Sequence, residues 1–557
     1  MCGIAGYIGT KTLDNASAIL ESMQHRGPDG SGIYRHSVNG RHCYLFHTRL
    51  AIVDLDPRAD QPMHYKGKHF VFNGELYNYR ELGKGYSLIT ESDTEVFMRL
   101  MDDSLAHLDR CEFMGAFALY DENTGALTLC RDRFGEKPLY YHQCRHGVYF
   151  ASEIKTLRKM GCDIFPNEKK VKTFLKSGYK SIYKDKETFW HGAKEIPAAH
   201  YAKIDGGNAW YNFKPNPYWR PTIDKIDTVS TYPELVNLAR TRIVKAVERR
   251  LRSDVPLAFC MSGGVDSNTI VAIAKRLFDY DVHGFTILPQ DERYNEQPLV
   301  EYAVRELGIR HNFFYLDTND FEQRLGELVV QHDAPVATIS YYIHHQLMGF
   351  INNFGYKVVL SGTGADELFS GYYDHYLMHL ATHGVGAKEY MAWDEHVKPN
   401  VRNAYLRNPS LFIQNPGFRD HIYEDGFTET HYTDDLLRNR MQNEMFCESV
   451  PMILHEDDLN AMSFGIENRS PFLDRELMEF CYTIPTPRLI RNGYNKAVLR
   501  DAMRGIVPDK ILDNRKKMGF NCSIGELMGL SPYLDNETSK EMFRKLSVKM
   551  FREKFGK

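Results

Sequence analysis

The chain has 557 residues, 43% hydrophobic and 25% charged, more than one hydrophobic core fills, which predicts two or more globular domains. Its 69 basic and 73 acidic residues leave a net charge of −4, so no electrostatic footprint for duplex nucleic acid or an anionic membrane surface is expected. The ten cysteines are scattered without a CxxC pair, no signal peptide is recognisable, and no apolar run nears the roughly eighteen residues that span a bilayer. A soluble cytoplasmic protein in a reducing compartment is the expectation.

The chain opens Met1-Cys2-Gly3-Ile4-Ala5-Gly6. With Met1 trimmed, Cys2 carries a thiol and a free α-amine on one carbon. An α-amine titrates near 7.7–8.0, about where it can take the thiol proton at cellular pH. Helical patterns follow at 14–24 and 92–103. Between and after them, short apolar runs at Tyr44-Leu45-Phe46, His69-Phe70-Val71-Phe72, Ala116-Phe117-Ala118-Leu119-Tyr120 and Ala126-Leu127-Thr128-Leu129 predict a β-rich first domain over residues 1–205. Amide hydrolysis needs a nucleophile, oxyanion donors and grips for a substrate's charged end. Asn73-Gly74 at a turn supplies a side-chain amide and a backbone N–H; Arg49 suits a carboxylate and Asp93 an ammonium.

Cys2-Gly3-Ile4, His25-Arg26-Gly27-Pro28-Asp29-Gly30, Arg49-Leu50-Ala51-Ile52, Asn73-Gly74-Glu75-Leu76-Tyr77-Asn78 and Ser92-Asp93-Thr94-Glu95 stand in one order. In that order they resemble class II, N-terminal-nucleophile glutamine amidotransferase domains. The resemblance implies a four-layer α/β/β/α sandwich, with Cys2, Asn73 and Gly74 catalytic and Arg49, Ile52, Val53, Glu75 and Asp93 binding glutamine. It also implies that the segment at His25–Asp29 closes over glutamine.

Residues 206–225 have linker composition. From Leu235 to Leu251 apolar residues take helical spacing, and then strand and helix alternate through Leu257–Met261, Val282–Ile287 and Lys357–Leu360 over the second domain, 226–557. That alternation predicts a parallel sheet, followed by a mainly helical C-terminal region ending in a basic helix from Lys540. Met261-Ser262-Gly263-Gly264-Val265-Asp266-Ser267 lies between strand and helix, where small residues let backbone N–H groups approach phosphate. It lacks the GK[ST] of a Walker loop. A second turn, Ser361-Gly362-Thr363-Gly364-Ala365-Asp366, also follows a strand. Asp366 and Asp266 could share one Mg²⁺, while Lys496 and Arg500 are candidates for neutralising phosphate charge.

With Glu467-Asn468-Arg469-Ser470-Pro471-Phe472-Leu473-Asp474, Lys496 and Arg515-Lys516-Lys517-Met518-Gly519-Phe520, the second half resembles the synthetase domain of glutamine-hydrolysing asparagine synthetases. The resemblance implies a doubly wound, adenine nucleotide α-hydrolase-like parallel sheet. It implies ATP contacts at Met261, Ser262, Gly263, Gly264, Asp266, Ser267, Ile287, Ser361 and Gly362, a metal at Asp266 and Asp366, and catalysis by Lys496. Its cofactors are ATP and Mg²⁺, its partners small molecules, and homodimers are common in it. Its chemistry is adenylation of a carboxylate, then attack by ammonia carried through an internal channel from glutamine. Aspartate is the expected acceptor. The chain has Thr363 where that family usually has glutamate, so a uronic-acid sugar or natural-product acid is the alternative. Glu367, Tyr341, Tyr342, His344 and His345 are then candidates for the missing base. Asn268 and Ala198-Ala199 are lesser departures.

Overall fold

The computed structural model describes residues 2–205, 210, 213–222, 225–289, 295–383, 387–400, 407, 428–515, 522, 524–528 and 536–556. Of the expected linker, 206–209, 211–212 and 223–224 lie outside the described residues, as do 516–520 of the basic motif.

The first half contributes β1 (Gly3–Gly9), β2 (Gly30–Val38), β3 (Arg41–Arg49), β4 (Met63–Tyr65), β5 (Lys68–Leu76), β6 (Phe113–Asp121), β7 (Ala126–Arg131), β8 (Tyr140–Cys144) and β9 (Gly147–Ala151). Shorter strands follow: β10 (Phe165–Pro166), β11 (Trp190–His191), β12 (Lys194–Glu195), β13 (His200–Ile204) and β14 (Asn216–Pro217). Two six-stranded antiparallel sheets result, ordered β12-β8-β9-β1-β3-β2 and β14-β13-β7-β6-β5-β4. Side-chain alternation assigns the layers. Val71, Ala116 and Ala118 join Ile4, Ile8 and Leu45 between the sheets. The intervening Phe70, Phe72, Phe117 and Leu119 pack on Phe97 and Leu100 of the helix Asp93–Asp103. On the other outer face, Tyr7, Tyr44 and Phe46 cover Ile19 and Met23 beside the helix Ala16–Glu21. Strands buried on both faces read as nearly unbroken apolar runs, and each buried Phe contributes about 1.5–3 kcal/mol. The layers are α/β/β/α, as the resemblance to class II glutamine amidotransferase domains implies.

The second half adds β15 (Leu257–Cys260), β16 (His283–Leu288), β17 (Arg310–Tyr315), β18 (Val358–Leu360) and β19 (Glu467–Arg469). They form one sheet in the order β17-β16-β15-β18-β19, every pair parallel. Strand order reverses between β15 and β18. In doubly wound sheets ligands bind in the crevice beyond the carboxyl ends of the strands at that reversal. The two glycine-rich turns leave β15 and β18 there. The terminal helix Asn536–Phe555 is packed rather than free, burying Phe543, Val548 and Phe551.

The halves share buried surface. Leu50, Ile52, Val53 and Tyr77 of the first lie in one apolar cluster with Leu257, Val265 and Leu473 of the second. Arg26, fully buried, pairs with Glu153 at 2.7 Å and with Asp458 of the second half at 2.9 Å. Lys357 pairs with Asp29 at 2.8 Å and Arg475 with Glu112 at 2.6 Å.

Candidate active sites

Cys2 is buried at the start of β1, in the middle of the first sheet. Its backbone N–H donates to Asn73 Oδ1 at 3.0 Å, and Asn73 Nδ2, also buried, has no hydrogen-bond partner. An orphaned amide N–H₂ beside a thiol is a donor awaiting an acceptor. Gly74 is forced by packing: at φ +155 a Cβ there would lie 2.0 Å from Met114 O. Burial raises the Cys2 thiol pKa, while a hydrogen bond from the Leu50 backbone and the Arg49 guanidinium oppose that shift.

The expected glutamine grips surround this centre. Arg49 donates to the Asp56 carbonyl at 3.0 Å, to the Asp54 carbonyl, and to Asp60 Oδ1 at 2.6 Å. Asp60 is about half exposed, at 48%, so it is the exchangeable partner. Asp93 is buried at the head of its helix and accepts from the Leu76 N–H at 2.7 Å; burial pushes its carboxyl up to about 6. Glu75 is buried and raised well above the usual carboxylate range by burial, Glu467 and Asp93. Arg469 answers this acidic cluster, 3.6 Å from Glu75 and 2.5 Å from Glu467. Ile52 O accepts from the Asp254 N–H at 3.0 Å, and Val53 is buried in the shared cluster. The segment expected to close over glutamine is pinned on both sides: Arg26 Nε donates to the Cys2 carbonyl at 3.1 Å, and Asp29 accepts from the Ala51 N–H and from Lys357.

At the sheet reversal, Met261 N–H donates to the Phe285 carbonyl, and Met261 O accepts from Thr286 Oγ1 at 2.9 Å. The Ser262 N–H donates to Ser267 Oγ at 3.1 Å, and the Gly264 N–H donates to Ser262 Oγ at 3.2 Å. Asn268 Nδ2 donates to the carbonyls of Ser262 and Gly264 at 2.9 and 2.7 Å. That residue looked like a minor departure in the sequence; in the structure it holds the loop's curvature. Glu296, which sequence reasoning missed, faces the Gly263 N–H and is pushed up to about 7 by burial. Gly362 is where the two turns touch: a Cβ would lie 2.9 Å from Asp266 Cβ. Ser361 Oγ and Thr363 Oγ1 lie 3.3 Å apart. Ile287 is buried on β16.

Lys496 Nζ lies 2.7 Å from both Asp266 and Asp366. Burial alone would lower its pKa, but the two carboxylates hold it raised. The carboxylates therefore converge on one cation position, and that donor set fits Mg²⁺. The packing is tight, since a Cβ on Gly371 would meet Asp366 Oδ1 at 1.7 Å and Lys496 Cε at 2.2 Å. Lys496 itself has φ +53, a costly conformation for a non-glycine residue. Arg500, by contrast, donates to the carbonyls of Asn495, Leu512 and Asn514 and so is committed to backbone.

Of the bases considered for Thr363, Glu367 is buried, accepts from Tyr372 Oη at 2.7 Å and is pushed up to about 7 by burial and Asp366. His345 packs on the Phe464 ring, Tyr342 on Phe321. His344 Nδ1 lies 3.5 Å from Asp457, which the sequence reading did not single out. Asp457 accepts from Thr363 Oγ1 at 3.4 Å and from Asn468 Nδ2 at 3.2 Å, and burial raises its pKa. The available signal was Glu456-Asp457-Asp458, three consecutive acids inside the helix Ser449–Met462, all buried.

A family model described as "Asparagine synthase" matches residues 238–555, and one described as "Glutamine amidotransferase domain" matches residues 1–219. The chain belongs to the asparagine synthase family. Among curated relatives, it is 28% identical to asparagine synthetase [glutamine-hydrolyzing] 1 of Bacillus subtilis, over 93% of this chain and 87% of that one. It is 30% identical to a putative asparagine synthetase [glutamine-hydrolyzing] 2 of Methanocaldococcus jannaschii, over 67% and 76%. It is 26% identical to amidase chry2 of Gibberella zeae, over 93% and 88%. Membership makes this a glutamine-dependent amidotransferase of the asparagine-synthetase type. No described helix is long and apolar enough to cross a membrane.

Proposed function

We propose that the chain joins the nitrogen of glutamine to a carboxylic acid at the expense of ATP, releasing AMP and pyrophosphate. Residues 1–205 act as the glutaminase and 226–557 as the synthetase, with 206–225 between them, in the cytoplasm. The observation carrying the first half is the unpartnered Asn73 Nδ2 beside Cys2. Once Met1 is removed, the Cys2 nitrogen becomes the amine that takes the thiol proton. The thiolate adds to the side-chain amide, Asn73 Nδ2 and the Gly74 N–H receive the oxyanion, and collapse expels ammonia as the Cys2 α-ammonium returns its proton to the leaving nitrogen. Water then releases glutamate from the acyl-enzyme. Arg49 exchanges Asp60 for the substrate carboxylate, and Asp93 takes its ammonium.

In the second half the loop N–H groups after β15 exchange their Ser262, Ser267 and Glu296 partners for pyrophosphate oxygens, and Asp266 and Asp366 would hold Mg²⁺, which screens phosphate charge when bound. The acceptor carboxylate attacks the α-phosphorus and pyrophosphate leaves; Lys496 offsets the charge that develops. Ammonia, kept unprotonated by passage through a buried route, adds to the acyl carbon and AMP departs. Asp457, oriented by His344, receives the proton that the amine sheds, since Thr363 has no basic group.

Aspartate is the first acceptor, by the names of the relatives. Thr363 and its partner Asp457 favour a second reading, an acceptor other than aspartate such as a hexuronate. Pyrophosphate release on adding aspartate, against release on adding a hexuronate panel, decides between them. Cys2→Ala is expected to abolish glutamine hydrolysis while sparing amide formation from free ammonium with whichever acid stimulates AMP production. Loss of both activities in a folded variant, or production of ADP in place of AMP, refutes the proposal.

A further inference from the structure

Away from both centres, the first half carries a cluster that the proposed chemistry does not use. β4 and β5 are joined by Lys66-Gly67, with φ +49 and +74. Two successive positive φ values make the tight turn that fixes hairpin register. In that register His64 stands directly opposite His69, where side chains on one face come within about 5 Å at Cβ. The Glu122 N–H donates to the Gly67 carbonyl at 2.9 Å, which sets the β6–β7 turn beside the hairpin. The result brings one ligand atom each of His64, His69 and Glu122 within 4.8 Å of one another.

The surroundings fit a cation. Glu122 accepts from Tyr34 Oη at 2.8 Å, and its Oε2 lies 3.2 Å from His69 Nε2. Tyr34 belongs to the other sheet, and its ring stacks on His69 at 3.5 Å. It is therefore placed to orient the carboxylate, as residues behind metal ligands do. His69 is buried, so its ring is fixed, while His64 is exposed and leaves an approach from solvent. Among the described residues no lysine or arginine pairs with Glu122. The other such triad, Asp374, His375 and Glu444, differs in this respect. Arg440 lies 2.9 Å and Lys180 3.6 Å from Glu444, so protein cations already neutralise it.

We propose that His64, His69 and Glu122 form a binding site for a first-row divalent transition ion of the Zn²⁺ class, with water completing the coordination. Two imidazoles and one carboxylate are a recognised three-ligand set for such ions. The ion clamps the β4–β5 hairpin to the β6–β7 turn, and through Tyr34 to the facing sheet. β5 continues from His69 to Asn73 and Gly74, so the clamp braces the strand that carries the oxyanion donors.

The test is calorimetric titration of chelator-treated full-length protein with Zn²⁺ in excess Mg²⁺, comparing wild type with His64→Ala and Glu122→Gln. His64 is exposed and its replacement leaves the core intact. Wild type is expected to bind one equivalent more, or to bind at least about tenfold more tightly, than either variant. Zn²⁺ should raise the melting temperature of wild type and not that of His64→Ala. With Co²⁺ the wild-type difference spectrum should show ligand-field bands without a thiolate charge-transfer band. Equal stoichiometry and affinity in wild type and His64→Ala overturns the proposal, as does a thiolate band.

Discussion

At the scale of single residues, the glutaminase centre concentrates negative charge where a cationic substrate group is expected. Asp93 is ionised at neutral pH only against the cost of burial, which puts its carboxyl at about 6. The sign follows. Its folded value lies above the unfolded one of about 3.9, so ionised Asp93 costs stability above pH 6, and that cost is relieved as pH falls through 6. Its proposed grip on the substrate ammonium runs the opposite way, present above pH 6 and lost below. Glutamine hydrolysis at subsaturating substrate is therefore expected to fall as pH drops through about 6. In Asp93→Asn the KM for glutamine should rise at pH 7.5 and this acidic limb should disappear. A pH profile of kcat/KM for both forms checks this; an unchanged limb in the variant assigns it elsewhere.

At the scale of elements, β5 does two tasks at once. Its odd and even residues pack opposite layers, and it carries Asn73 and Gly74 inside the paired strand, two residues short of Leu76, rather than at the turn expected from the sequence. The two strands can approach there only because Gly74 faces Gly115 across the pair and a Cβ would meet Met114 O at 2.0 Å. Gly74→Ala should shift the strand pair, lower stability by about 1–3 kcal/mol, and reduce glutaminase activity by roughly 100-fold or more through misplaced donors. Ammonium-driven synthesis should persist, since the second centre lies on a different sheet. Comparing the two assays with the melting temperature separates a local from a global fault. Glutaminase activity that survives intact would remove Gly74 from the oxyanion site. The same logic applies to the second sheet: β15 and β18 flank the strand-order reversal, so their two turns meet at Gly362, with no side-chain volume to spare.

At the scale of the whole molecule, the two centres are joined by buried charge. Arg26 touches the Cys2 carbonyl, Glu153 and Asp458 at once. Asp458 also lies 3.5 Å from Lys137, which donates to the Asn468 carbonyl at 3.1 Å, and Asn468 reaches Asp457. Removing one partner of such a pair leaves uncompensated charge inside and costs about 3–5 kcal/mol. Arg26→Leu should therefore lower the denaturation midpoint markedly and impair both reactions, whereas Arg58→Leu, at an exposed arginine that pairs with Asp56 and reaches the Ile89 carbonyl at 3.4 Å, should change little. Equal midpoints for the two variants would show the junction to be held by apolar contact alone.

Much of this was legible in the amino-acid order, because local rules govern it. Short apolar runs bounded by turn residues in the first half marked β5 and β6, period 3.6 marked the helix Tyr232–Arg250, and small residues after strands marked both glycine-rich turns. Cys2, Asn73, Gly74, Asp266, Asp366 and Lys496 were each suggested by chemistry that lies within a few neighbouring residues. Other features depend on residues hundreds of positions apart. Glu467 and Arg469 end β19 of the second sheet yet set the charge around Glu75 of the first. Asp457 meets Thr363 only once a buried helix is docked. Arg26 reads as part of a substrate loop until Asp458 is placed against it, and His64, His69 and Glu122 converge only when a hairpin and a turn pack together. Amino-acid order was enough for the elements and the sheet types and for naming candidate reactive groups, since backbone propensity and motif chemistry are short-range. Which charges answer one another had to wait for the folded chain, because electrostatic partners in a buried interface are chosen by proximity in space and not along the chain.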